Sequence, residues 1–339
     1  MQITDIREQS VAMGAAMRNA VIDFSKMTVS AVAVVTDVMR DGKPVIGYGF
    51  NSNGRYAQGE IIRARLAPRI LALSSEEQQN AAGDNIDPAR LRAAMLQNEK
   101  PGGHGERAVA VAAVEIALWD AAAKIADVPL WRMIGGDEAE SRVFVYAAGG
   151  YYDAEKGILG LVEEVRGYLA QGYTWAKIKI GGASLEEDMR RIEAVLELLG
   201  GDGSRLAVDA NGRFDLQTAL KYSAAMAPYN LRWFEEPGDP LDYELNAEIV
   251  RNYPNAVATG ENLLSLQDAT NLIRHGALRR STDYLQFDPA LAYGVTETIA
   301  ITAMMEAEGW SPRRFIPHGG NLCALALTGA GMNVFDGFV

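Results

Sequence analysis

The chain of 339 residues is 48% hydrophobic and 22% charged, which is enough apolar material for one or two substantial cores and argues against a disordered or fibrous protein. A formal net charge of -12 and a pI near 4.9 oppose binding to phosphate backbones and anionic membranes, so neither nucleic acid nor a membrane is expected as a partner. The single cysteine, Cys323, cannot close an internal disulfide and reads as a small buried apolar side chain, compatible with a reducing compartment.

The N-terminal "MQITDIREQSVAMGAAM" carries charges where a signal peptide needs an apolar core. The Ala-rich run further on is interrupted by Glu115, Asp120 and Lys124, so it does not read as a membrane span. A cytoplasmic protein is expected. "SAVAVVTDVMRDGKPVIGYGFNS" reads as two strands joined at the "DGK" turn, and "ERAVAVAAVEIALWDAAAKIA" as the clearest helix. Strands followed by helices predict an α+β domain over residues 1–130.

Residues 131–339 show a different regime. From Arg142 onward, short apolar strands alternate with helix-like segments: "RVFVYAAGG", "WAKIKIGG", "RLAVDANG", "RWFEEPG", "AVATGEN", "DYLQFDP" and "RRFIPHGG". Their spacing is that of βαβ units, and so long a series suits an α/β fold closed as a parallel (β/α) barrel. Barrel enzymes carry their chemistry at the C-terminal ends of the strands, where this chain has Lys179, Asp209, Glu235, Glu261, Asp288 and His318.

One acid at a strand end commonly caps a helix or pairs with a lysine. Asp209, Glu235 and Glu261 end three successive strands, which lie about 4.8 Å apart and would aim three carboxylates at one point. A divalent cation relieves that repulsion, and an all-oxygen set favours Mg²⁺ over zinc. Lys177 and Lys179 face the same way from the preceding strand. A cation and Lys177 beside Lys179 would depress its pKa and make it a usable base. Across the mouth, Asp288 is placed to orient the imidazole of His318. A base and an acid flanking a cation suit removal of a proton next to a carboxylate, with the metal stabilising the enediolate.

Lys-x-Lys, Asp209, Glu235, Glu261, the Asp288 and His318 pair and the preceding α+β domain together resemble the enolase superfamily, specifically its mandelate racemase subgroup. A Lys or His base with Mg²⁺ is an established pattern of that superfamily. "GFNSNGRY" and "NEKPGGHGER", with "NAVIDFSKMT", "LAVDANGRF", "ATGENL" and "IPHGGN", look like the bacterial D-tartrate dehydratase group within it. The resemblance implies a capping domain closing over an enolase-type barrel. It makes Lys179 the base and His318, paired with Asp288, the acid that helps the β-hydroxyl leave. Asn19, Asn53 and Lys100 from the first domain, and Lys177 and Tyr152 from the barrel, would contact the substrate. That substrate would be a small hydroxy diacid, most simply D-tartrate giving oxaloacetate. A racemase or epimerase, another sugar-acid dehydratase and an inactive relative are the alternatives. Self-association into a homo-oligomer is expected from apolar surface on the barrel helices. After "IPHGGN" the family pattern calls for an eighth strand and a glutamate-bearing loop. "LCALALTGAGMNVFDGFV" stands there instead, so the last part of the barrel is expected to be incomplete in this chain.

Overall fold

The computed structural model describes residues 1–14, 18–52, 55–153, 155–319 and 321–332. The first part is an antiparallel sheet of β1 (Ile3–Ala12), β2 (Thr28–Arg40) and β3 (Lys43–Phe50) in that order. Arg40 pairs with Lys43, leaving Asp41 and Gly42 as a two-residue turn with φ of 51° and 74°. Two left-handed residues in a row are what a tight hairpin of right-twisted strands requires, which is why the turn reads Asp-Gly.

The helix Glu106–Ala126 packs across β2 and β3 at unusually short range. A Cβ built on Gly47 would fall 2.0 Å from the Ala117 carbonyl oxygen, and the contact partners on the helix are alanines. Its opposite side faces the second domain, where Ile116 and Trp119 join a cluster with Ala290, Val295, Cys323 and Leu327. Buried on both sides, the helix has no polar stripe.

Glu115 is the charged residue within the buried run 108–118 of that helix, and it is fully buried. Its carboxylate accepts from the backbone N–H of Val295 at 2.7 Å and of Thr296 at 3.0 Å, from Trp119 Nε1 at 2.8 Å, and from the Thr296 hydroxyl. A helix start leaves its first N–H groups unpaired, so a capping-domain side chain here closes the N-terminus of the barrel helix Val295–Ala307. Gly294 makes room, since a Cβ there would lie 2.2 Å from Glu115 Oε2. Burial pushes the Glu115 carboxyl above its ordinary pKa, and the Thr296 and Val295 donors oppose that.

The second part is a parallel sheet of β4 (Ala147–Gly149), β5 (Ala176–Lys179), β6 (Leu206–Asp209), β7 (Trp233–Glu235), β8 (Val257–Thr259) and β9 (Tyr284–Leu285), in sequence order. Phe315 adds a single parallel bridge to Leu285. Helices separate the strands, and four of them start at a Ser or Asp side-chain cap: Ser184, Asp215, Asp242 and Ser265. The result is an enolase-type capping domain followed by a parallel α/β barrel domain. Among the described residues no strand lies between Phe315 and β4, and Leu322–Leu327 is a helix, so the wall has a gap on that side. No helix among the described residues is long and apolar enough to cross a membrane.

Replacing Glu115 by Ala strands several buried donors at the domain junction and removes a helix cap, a loss of about 2–4 kcal/mol. Glu115→Ala should lower the unfolding free energy by that amount, read as a lower denaturant midpoint at unchanged slope. An unchanged midpoint would remove Glu115 as the link between the domains.

Candidate active site

Strand register explains how the reactive side chains meet. Lys179 pairs with Asp209, and Asp209 with Glu235, so three charged residues stand in one row across β5, β6 and β7. Lys177 lies one pleat deeper on the same face. Glu261 is two residues beyond the end of β8, in the turn that follows it. One carboxylate oxygen from each of Asp209, Glu235 and Glu261 falls within 4.8 Å of the others.

Each of these acids has fixed partners. Lys177 Nζ bonds Glu235 Oε1 and stands 3.9 Å from Asp209, and Lys179 Nζ bonds Asp209 Oδ2. The other oxygen of Glu235 accepts from Trp233 Nε1 at 2.8 Å and from Gln286 Nε2 at 2.9 Å. Asn211, left-handed at φ 52°, donates to Asp209 through its backbone N–H at 2.8 Å and its side-chain amide at 3.1 Å.

Whether these residues suit a cation can be judged from what remains unpaired. Glu261 Oε2 and Asn211 Oδ1 are buried acceptors that no hydrogen-bond donor satisfies, although His318 Nε2 stands 3.1 Å from the former. Burial holds Glu235 and Glu236 above the ordinary carboxylate pKa, with Lys177 only partly opposing this at Glu235. Converging oxygens, an orphaned acceptor and acids short of positive charge fit a hard divalent cation such as Mg²⁺.

A Lys179 depressed by a cation together with Lys177 is the expectation from sequence; beside the carboxylates alone the balance runs the other way. Burial does act to lower its pKa, but the Asp209 and Glu261 charges outweigh burial and Lys177 together, and the amine is held above its ordinary value. Lys177 is likewise raised, burial being overcome by Glu235. Depression requires the carboxylate charge to be shared with a cation.

His318 faces the triad from the other side. Its Nδ1 lies 3.0 Å from Asp288 Oδ2, and Asp288 Oδ1 accepts from the Ala290 N–H at 2.7 Å. Burial works to lower the imidazole pKa, but Glu261 and Asp288 leave it raised.

Two cavities share Tyr151, Lys179 and His318. One of about 430 Å³ lies under the capping domain, with Asn19, Phe24, Arg55, Asn211, Glu261 and Asn262 in its wall. The other, about 580 Å³, follows the gap in the barrel past Tyr146, Lys177 and Ile316. The segment closing the first cavity is tied to the barrel: Arg213 donates to the Ala20 carbonyl at 2.6 Å, Tyr152 N–H donates to the Arg18 carbonyl at 3.2 Å, and Phe24 meets Tyr151 edge-on.

Of the residues expected to contact substrate, Asn19 lines this cavity, while its carbonyl oxygen is held by the N–H groups of Val21 and Ile22. Lys177 lines the other cavity and not this one. Asn53 lies outside the described residues. Lys100 is exposed and lines neither cavity, and its neighbour Glu99 anchors that loop to Arg65, Arg69 and Arg107. Tyr152 also stands away from the cavity, because its hydroxyl donates to Asp188 at 2.6 Å and accepts from the Gly182 N–H; Tyr151 takes the inward position. Asn211, Asn262, Tyr151 and Arg55 were not singled out from sequence. The Asn-Gly after Asp209 and the Asn after Glu261 were the available signals.

A barrel with a triad of carboxylates, a lysine and a histidine facing one capped cavity defines a class of enzyme scaffold that acts on carbon acids. The model described as "Mandelate racemase / muconate lactonizing enzyme, N-terminal domain" matches residues 9–135, and "Enolase C-terminal domain-like" matches residues 160–332. The chain belongs to the mandelate racemase and muconate lactonizing enzyme family of the enolase superfamily. It is 34% identical over 76% of its length to a 3,6-anhydro-alpha-L-galactonate cycloisomerase of Streptomyces coelicolor, covering 66% of that protein. It is 29% identical over 86% of its length to an L-talarate/galactarate dehydratase of Salmonella typhimurium, covering 68% of it. The chain thus spans about two thirds of the length of these curated relatives. A crystal structure of a racemase from Streptomyces coelicolor A3(2) with bound magnesium superposes with a TM-score of 0.81 at 28% identity, over 98% of this chain and 88% of that one.

Calorimetric titration of the metal-stripped protein should show one Mg²⁺ per chain. Asp209→Asn and Glu261→Gln should each weaken it by about tenfold or more. A protein that binds no Mg²⁺ would break the cation assignment.

Proposed function

We propose that this chain is a Mg²⁺-dependent hydro-lyase acting on a small dihydroxy diacid, with D-tartrate, giving oxaloacetate, as the first candidate. The observation that carries the reading is the placement of Lys179 and His318 on opposite sides of the carboxylate triad, facing one capped cavity. Elimination of water needs two groups, one to take a proton from carbon and one to give a proton to the departing hydroxyl.

Bound Mg²⁺ would supply Lewis-acid stabilisation of the charge that develops when the α-proton leaves. Asp209, Glu235 and Glu261 would hold it. With the charge of Asp209 and Glu261 shared in this way, burial and Lys177 would favour the neutral amine, and Tyr151 would still oppose them. Lys179 then takes the α-proton. Asp288 holds His318 Nδ1, so Nε2, 3.1 Å from Glu261 Oε2, is the nitrogen that would protonate the β-hydroxyl. The capping segment excludes water, and Tyr151 lays its ring 5.5 Å from Lys179 Nζ.

Dehydration of a longer sugar acid is the second reading, supported by the similarity to L-talarate/galactarate dehydratase. Incubation with D-, L- and meso-tartrate and with a panel of hexarates and aldonates, followed as keto-acid formation, separates the two. Racemised substrate with no keto acid would reject both in favour of a racemase. With the best substrate in deuterated solvent, Lys179→Ala should abolish exchange of the α-proton, whereas His318→Asn should abolish dehydration and spare exchange. The reverse pattern would move the base to the histidine side.

A further inference from the structure

We propose that the outer edge of β3 is a strand-pairing surface for a second copy of this chain, and that Asp120 and Lys124 of the capping-domain helix hold it shut.

β3 is the last strand of its sheet and has a neighbouring strand on one side only. Alternate residues of such a strand direct their N–H and C=O groups away from the sheet, and an uncovered row of these groups is a template for another strand. Ile46 and Tyr48 are turned outward in this way. The Tyr48 N–H donates to Asp120 Oδ2 at 2.7 Å, and the Ile46 carbonyl accepts from Lys124 Nζ at 3.0 Å. Lys124 Nζ also donates to the same Asp120 oxygen at 2.6 Å and lies 4.8 Å from the centre of the Tyr48 ring. Two side chains one helical turn apart thus supply an acceptor and a donor where a neighbouring strand would supply its own. Pro44, the preceding residue of the outward series, has no N–H to offer.

Glycines bring the helix within reach of the edge. Gly47 and Gly49 face the helix, and a Cβ on Gly49 would fall 2.2 Å from the Ala113 carbonyl oxygen. With no side chains in between, helix and strand lie backbone to backbone, close enough for a side chain as short as aspartate to reach the edge. Arg40 ties the end of the hairpin to the same helix, donating to Asp127 at 2.8 Å and to the Ile125 carbonyl at 3.5 Å.

Symmetry and charge identify the partner. Residues 44–50, "PVIGYGF", carry no charge, and the exposed Tyr48 borders a groove of about 590 Å³ that runs past Lys43, Pro44, Ile46 and Lys124. Two copies of this segment laid antiparallel about Gly47 place Ile46 of each opposite Tyr48 of the other. Residues facing one another in that manner exchange N–H and C=O groups across the two-fold axis. The bond from Tyr48 N–H to Ile46 C=O in that pair would use the same two groups that Asp120 and Lys124 occupy.

Light scattering over a range of concentrations compares the wild-type protein with the Asp120→Ala/Lys124→Ala double variant. The double variant should gain mass with concentration, reaching about twice that of the wild type. Asp120→Asn, whose amide oxygen can still accept from Tyr48, should keep the wild-type mass. Tyr48→Pro removes the outward N–H without breaking a bond to β2, so adding it to the double variant should return the mass to the wild-type value. An unchanged mass in the double variant overturns the proposal, and so does a gain that survives Tyr48→Pro, because another surface would then be responsible. If circular dichroism shows that the double variant does not fold, Asp120→Ala and Lys124→Ala decide singly: a gain in either that Tyr48→Pro reverses supports the assignment, and no gain in both overturns it.

Discussion

Three carboxylates held within 4.8 Å of one another are the constraint around which the barrel mouth is organised. At an effective dielectric of about 20, each such pair of full charges repels by roughly 3 kcal/mol. Folding tolerates this because Lys177 and Lys179 enter from the next strand in the same row and one pleat below. The lysines that looked anomalous inside an apolar strand are the counter-charges of the acids. Function makes the opposite demand, since a lysine locked as an ammonium cannot take a proton. A dication held by Asp209, Glu235 and Glu261 would meet both demands, since it would favour the ionised acids and weaken the hold of Asp209 on Lys179.

The capping domain takes part in this arrangement through its core. The helix Glu106–Ala126 is buried against its own sheet on one side and against barrel residues on the other, and Glu115 carries the only carboxylate in its buried stretch to a barrel helix N-terminus. Leu264 and Leu291, from loops after the barrel strands, pack into the capping-domain core. The segment over the cavity is thus attached to a unit fixed to the barrel, and its own links through Ala20, Arg18 and Arg55 need only set local shape.

Much of this was legible because it rests on short-range rules. The Asp-Gly turn and the strand alternation mark the elements, and an acid at or just past the end of each of three successive strands marks the triad. What could not be read was direction and pairing beyond the strands. Tyr151 and Tyr152 are equivalent in sequence, and only the placement of Asp188 decides which hydroxyl is drawn away from the cavity. Lys100 carries the right charge, but the cluster of arginines around Glu99 fixes its loop elsewhere. Glu236 reads as an ordinary neighbour of Glu235 until its backbone turns left-handed.

The two-residue spacing of the lysines also divides their work. Lys177, paired with Glu235 and set against the Tyr146 ring, lies deeper, and there Glu235 overcomes the burial that acts against its charge. Lys179 stands at the level of Asp209, bordering both cavities, and burial and Lys177 oppose its charge. The same strand face therefore holds one lysine paired with Glu235 below the mouth and one paired with Asp209 at it. A single lysine could not serve both purposes, because the charge that steadies the triad would be lost in the act of accepting a proton. Placing two at i and i+2 keeps a cation at the triad throughout a proton transfer, and a parallel strand ending at a barrel mouth provides that spacing without further backbone distortion.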